Sequence, residues 1–189
     1  YDSYMFLIEA DGKRIWHTGD YRDHGYLGKG LYPTLHRYAS NIDLLITEGT
    51  TLKRGDLCIQ ESEVSRRMAC VMSAFKYVIV LASATDIERL ASVKTAVLKA
   101  RKGLYYTGGM MGRAMRIFTH REAKTSNGLF AFHFKYVGED DPKLGEMQNK
   151  GFVLVTGASH LDFVKNMCQG LSSSEVLLIY SAWDGYYKD

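Results

Sequence analysis

Two acids close two apolar runs. Asp20 ends Ile15-Trp16-His17-Thr18-Gly19-Asp20, and Glu48 ends Asp43-Leu44-Leu45-Ile46-Thr47-Glu48, 28 residues later. A carboxylate at a strand terminus is held by fixed backbone and can be aimed into a cleft. Burying two such groups is costly unless each meets a cation or a hydrogen-bond donor. A metal edge is one physical solution. The stretch Asp20-Tyr21-Arg22-Asp23-His24-Gly25 adds Arg22, able to pair with an acid or a phosphate, and His24, able to line the same cleft.

Further along, Arg113 and Arg116 lie three apart and share a helix face, where they could follow a nucleic-acid backbone. Ser83, Thr85, Thr156 and Ser159 fall after apolar runs, where free N–H groups of a following helix can meet a phosphate. Ordinary helix capping explains most of these hydroxyls equally well. Gly108-Gly109…Gly112 lacks the Gly-Lys-Ser/Thr ending of a nucleotide-binding loop, so nucleotide binding is not expected there. His17 and His160 read as structural residues. Trp183, Tyr186 and Tyr187 could stack on bases or face other polypeptide.

The elements that position these groups follow from periodicity. Asp11-Gly12 between residues 4–10 and 14–17 predicts a β-hairpin. A helix at 32–39 and a buried strand at 42–47 follow. From about Lys53 the pattern changes. Helices are expected at 61–75, 86–99 (capped through Ser83-Ala84-Thr85), 111–120, 142–148 and 161–167. Strands are expected at 77–81, 104–106, 129–136, 152–155 and 176–180. Strands alternating with helices imply a parallel sheet with helices on both faces. The division falls between residues 1–52 and 53–189.

The 189 residues are 46% hydrophobic, 12% aromatic and 24% charged, which excludes a disordered tail, a collagen-like repeat or a disulfide-stapled miniprotein. No apolar run approaches the roughly 20 residues of a membrane-spanning helix. Three cysteines make no CxxC pair and fit a reduced cytoplasm. Cys70 and Cys168 are expected to be inert core thiols. The net charge of +3 is uneven: residues 1–52 carry −2 and the remainder +5, concentrated between Arg101 and Lys124. That stripe serves either a solvated face or a phosphate backbone.

The pairing of Thr18-Gly19-Asp20 with Thr47-Glu48-Gly49-Thr50 resembles the metallo-β-lactamase superfamily, and more narrowly its β-CASP branch of ribonuclease J-like and cleavage-factor nucleases. Tyr77–Leu90 (YVIVLASATDIERL), Gly109–Met115 (GMMGRAM), Val153-Leu154-Val155-Thr156-Gly157 and Val176–Gly185 (VLLIYSAWDG) are similar, in that order, to elements of the inserted β-CASP domain. The resemblance implies an α/β chain: part of an αββα metallo-β-lactamase lobe followed by a parallel-sheet β-CASP-like lobe. It implies that Asp20 bridges two metal ions, Zn2+ or Mn2+, that Glu48 supports their ligands, and that His24 belongs to the same catalytic edge. Arg22, Ser83, Arg113, Arg116 and Thr156 would meet nucleic-acid phosphates.

The same resemblance demands a His-x-His-x-Asp-His motif before Asp20 and a further His after it. The six histidines here make neither HxH nor HxxxxH. The expectation is an internal stretch of a longer metal-dependent hydrolase acting on RNA or another phosphodiester. On its own this stretch would bind zinc poorly and would not hydrolyse. Two alternatives stay open: a module that grips nucleic acid without cutting it, and a metallo-hydrolase of small esters or thioesters. No membrane partner is expected. Homo-oligomerisation is left open.

Overall fold

A computed structural model describes residues 3–49, 58–122 and 128–182. The chain divides into two compact units, Tyr1–Ser62 and Glu63–Asp189. Lys53, Lys124, Trp183, Tyr186 and Tyr187 lie outside the described residues.

In the first unit, β1 (Phe6–Ala10) and β2 (Lys13–His17) pair antiparallel around Asp11-Gly12. Both turn residues have positive φ, 49° and 71°, as a tight two-residue hairpin requires. Helix α1 (Leu31–Tyr38) leads to β3 (Leu44–Ile46), which adds to β2 in parallel, with Ile15 opposite Leu44 and His17 opposite Ile46. Asp43 fixes the entry to β3. Its carboxylate accepts from Lys13 Nζ at 2.7 Å and from the Arg14 N–H at 2.9 Å, while its own N–H donates to Arg14 O at 2.8 Å. The Lys13 ammonium, then the Arg14 N–H, hold the Asp43 carboxyl below its usual range.

The sequence predicts a buried strand at 42–47, and here the structure differs. β3 is three residues long, and Leu44, Leu45 and Ile46 are 50%, 53% and 43% exposed. Its register places Leu44 and Ile46 on one sheet face with Ile8 and Phe6, both also exposed. Apolar content marks what gains from burial; it does not supply a covering layer.

The second unit is a five-stranded parallel sheet. After α2 (Glu61–Ala74) come β4 (Tyr77–Ala82), α3 (Ile87–Ala100), β5 (Leu104–Tyr106), α4 (Gly109–Glu122), β6 (Lys135–Tyr136), α5 (Lys143–Lys150), β7 (Phe152–Thr156), α6 (Leu161–Cys168) and β8 (Val176–Ser181). The strand order is β6-β5-β7-β4-β8, all parallel, so the expected α/β architecture is present. Tyr77 and Ile79 of β4 and Phe152 and Leu154 of β7 form one buried cluster with Met147 of α5 and Phe163, Val164 and Met167 of α6. The alternate residues Val78, Val80, Val153 and Val155 are fully buried on the opposite face. α3 contributes Leu90, Val93 and Val97 to the core. Each such side chain adds roughly 1.5–3 kcal/mol of burial. Among the described residues no helix is long and apolar enough to cross a membrane.

Three local expectations are corrected. Residues 129–136 pair as a strand only at Lys135–Tyr136, because side chains take the backbone groups a ladder would use. Thr119 Oγ1 accepts the Phe132 N–H at 2.8 Å, and Lys94 Nζ donates to the carbonyls of Gly128, Leu129 and Ala131. The cap of α3 is Asp86, whose Oδ1 accepts from the Arg89 N–H at 3.2 Å, whereas Ser83 and Thr85 bond each other. Cys70 is exposed, since α2 buries Ser65, Met68, Ala69 and Met72 and turns Cys70 and Val71 outward. Cys168 is half-buried, and burial pushes its thiol pKa up, which disfavours the reactive thiolate.

Candidate functional site

β2 and β3 run in parallel and stop together, so their C-terminal turns share one edge. The Thr18 N–H continues the ladder to Ile46 O at 2.9 Å, and the Thr18 and Thr47 hydroxyls lie 3.4 Å apart. Past the strands, the Tyr21 N–H donates to Glu48 Oε1 at 3.0 Å. This contact sets the residue following Asp20 against the acid that ends the neighbouring strand. Two acids distant in sequence thus follow the same end of one sheet.

The turn that carries Asp20 is tightly built. Gly19 has φ +57°, and a Cβ there would collide with the Tyr4 carbonyl oxygen. Its N–H donates to His17 Nδ1 at 3.0 Å, and the Ser3 hydroxyl donates to the Asp20 carbonyl. Backbone bonds therefore fix the turn while the exposed Asp20 carboxylate accepts no hydrogen bond from the described residues.

A closed metal site asks for more than this. A catalytic zinc needs three protein ligands with a fourth position open. Among the described residues no group of three His, Cys, Asp or Glu side chains could hold a metal ion. His17 Nδ1 and one Glu48 oxygen already serve the turn. The described donors supply one free carboxylate at Asp20 and do not by themselves fit two Zn2+ or Mn2+ ions.

His24 is half-buried, with Nδ1 3.5 Å from an Asp23 carboxylate oxygen. Its carbonyl accepts the Glu61 N–H at 2.9 Å. Arg22 faces an acid: its Nη1 lies 3.9 Å from Glu61 Oε1. Glu61 is 1% exposed, and sequence reasoning passes over it because an acid opening a helix looks like ordinary dipole chemistry.

Ser83 follows β4 and Thr156 ends its parallel neighbour β7, and ligand crevices of open α/β sheets lie at such strand ends. Ser83 is exposed there. Thr156 is fully buried, with its hydroxyl 3.2 Å from Gly157 O, so its side chain does not reach that crevice. Arg113 and Arg116 are both exposed on α4. These residues lie in the second unit and Asp20, Arg22, His24 and Glu48 in the first.

No family model and no curated protein matches the chain.

Proposed function

We propose that these residues are part of a metal-dependent phosphodiester hydrolase of the metallo-β-lactamase type, with RNA as its substrate class. The observation that carries the reading is the Tyr21–Glu48 hydrogen bond. It supports an acidic edge at which backbone bonds hold the turn and leave the exposed Asp20 carboxylate open to a metal. The remaining ligands come, on this reading, from polypeptide beyond the 189 residues, because one free carboxylate cannot retain a metal pair. Glu48 serves by pinning the turn, and Gly19 by letting it pass close to the Tyr4 carbonyl.

The test uses the intact protein with a labelled single-stranded RNA and added Mn2+ or Zn2+. Cleavage is expected to require the metal and to fall below detection in Asp20→Ala. Glu48→Gln, which keeps an oxygen acceptor for the Tyr21 N–H, retains measurable cleavage. An Asp20→Ala protein that cleaves at the parent rate overturns the proposal.

A second reading, a lobe that grips nucleic acid without cutting it, draws on Arg113 and Arg116. Both are exposed and neither makes an ion pair among the described residues.

A further inference from the structure

We infer that the cleft between α4 and residues 132–134 is a nucleobase-stacking subsite for single-stranded RNA, with Arg116 on the adjoining phosphate. The inference rests on the RNA reading above and locates where the second unit would hold the strand.

The cleft has a volume of about 400 Å3. α4 lines it with Gly112, Met115, Arg116 and Thr119, spaced as one helix face. Met115 and Phe132 are buried beneath it, whereas Tyr106 and Phe134 are half-buried and keep ring surface accessible. Gly112 is what admits Tyr106: a Cβ there would lie 2.7 Å from the Tyr106 hydroxyl oxygen. Edge-to-face contacts hold the rings. Tyr106 meets Tyr136 at 5.5 Å, and Phe132 meets Phe134 at 5.6 Å and 90°. Rings pinned this way present π-surface at little further entropy cost.

Charge decides the occupant. Several cations of the other helices are matched: Arg66 and Arg67 pair with Glu63, Lys150 with Glu146 and Lys165 with Asp162. On α4, Arg113 and Arg116 pair with nothing among the described residues. They stand one turn apart, and Arg116 stands on the cleft itself. A guanidinium with its donors uncommitted beside accessible aromatic rings fits a ligand that alternates anions with flat π-faces. A single-stranded nucleic acid does so; an acidic peptide offers the charge without the faces.

The test is anisotropy of the intact protein with a fluorescein-labelled oligouridylate, repeated over a salt series. Phe134→Ala is expected to weaken binding roughly tenfold or more, the scale of one lost stack, with an unchanged salt slope. Arg116→Ala is expected to weaken binding and to reduce the slope by about one phosphate contact. Arg116→Lys, which keeps the charge, restores the slope. Should Phe134→Ala remove folding as judged by circular dichroism, Phe134→Leu replaces it with the same expectation. Parent-like affinity in the folded Phe134 variant overturns the subsite. So does displacement of the RNA by oligoglutamate in parent and Phe134 variant alike. A failed subsite leaves Asp20-dependent cleavage intact; a failed hydrolase reading removes that cleavage while the stacking and slope effects remain.

Discussion

The N–H of Tyr21 donates to Glu48 Oε1 at 3.0 Å, so the turn after β2 is tied to the acid that ends β3. The bond uses a carboxylate where a neutral acceptor would also close the distance, and that separates two roles. Glu48→Gln keeps an acceptor and is expected to leave the thermal midpoint nearly unchanged. Glu48→Ala leaves the Tyr21 N–H without its partner and costs about 1 kcal/mol, the net worth of one such bond. Urea denaturation of the two variants, with amide exchange at Tyr21, checks the difference. Equal stability of the two variants would show that the acceptor does not matter.

Two glycines with similar φ give a matched pair. Gly12 has φ +71° and open space where a Cβ would go, whereas Gly19 has φ +57° and the Tyr4 carbonyl in that position. Gly12→Ala meets only the left-handed backbone cost, roughly 1 kcal/mol. Gly19→Ala adds a collision with backbone, which cannot rotate away, and is expected to be the more destabilising by about 2 kcal/mol or more. Chemical denaturation of both variants measures the gap.

How much of this was readable beforehand depends on which partner satisfies each residue. β4 and β7 were legible because Tyr77–Ala82 and Phe152–Thr156 are apolar runs that other layers cover, leaving nearly every residue buried. Leu44–Ile46 is equally apolar and lies exposed, for hydrophobicity reports a demand and not its fulfilment. Phe130, Phe132 and Phe134 alternate as a strand should. Yet Thr119 and Lys94, 13 and 37 residues from Phe132 and Ala131, take the local backbone groups, and no short-range pattern signals so distant a competitor. That Asp20 and Glu48 follow neighbouring strands was legible because each ends an apolar run. The buried Glu61 facing Arg22 was not, since its burial comes entirely from tertiary packing.

Lys94 makes that competition testable. Its ammonium donates to the carbonyls of Gly128, Leu129 and Ala131 at 2.6, 2.7 and 3.2 Å. Lys94→Met keeps the apolar stem and removes all three bonds. The expected loss is about 2 kcal/mol, because charge-assisted bonds exceed neutral ones and the carbonyls lose their donor. Amide exchange should rise across 128–134 before it rises in β4. Uniform exchange throughout the unit would show that Lys94 does not lock this segment locally.

Glu63 sets a pH dependence for α2. Its carboxylate accepts from Arg66 at 2.6 and 2.7 Å and from Arg67 at 2.8 Å, and those guanidinium bonds, Arg66 first, hold its pKa down at about 2 from an ordinary 4.5. A carboxyl more acidic in the folded state binds its proton more readily once unfolded, so it contributes stability above the unfolded value. That contribution declines as pH falls below about 4.5 and is gone below about 2. The group is exposed, so the effect is small and fades with added salt. Carboxyl carbon shifts should follow Glu63 to a midpoint near 2 at low ionic strength, and the stability difference between the parent and Glu63→Gln should close over the same interval. A Glu63 midpoint at the ordinary 4.5 would show that the two arginines do not hold the carboxylate in solution.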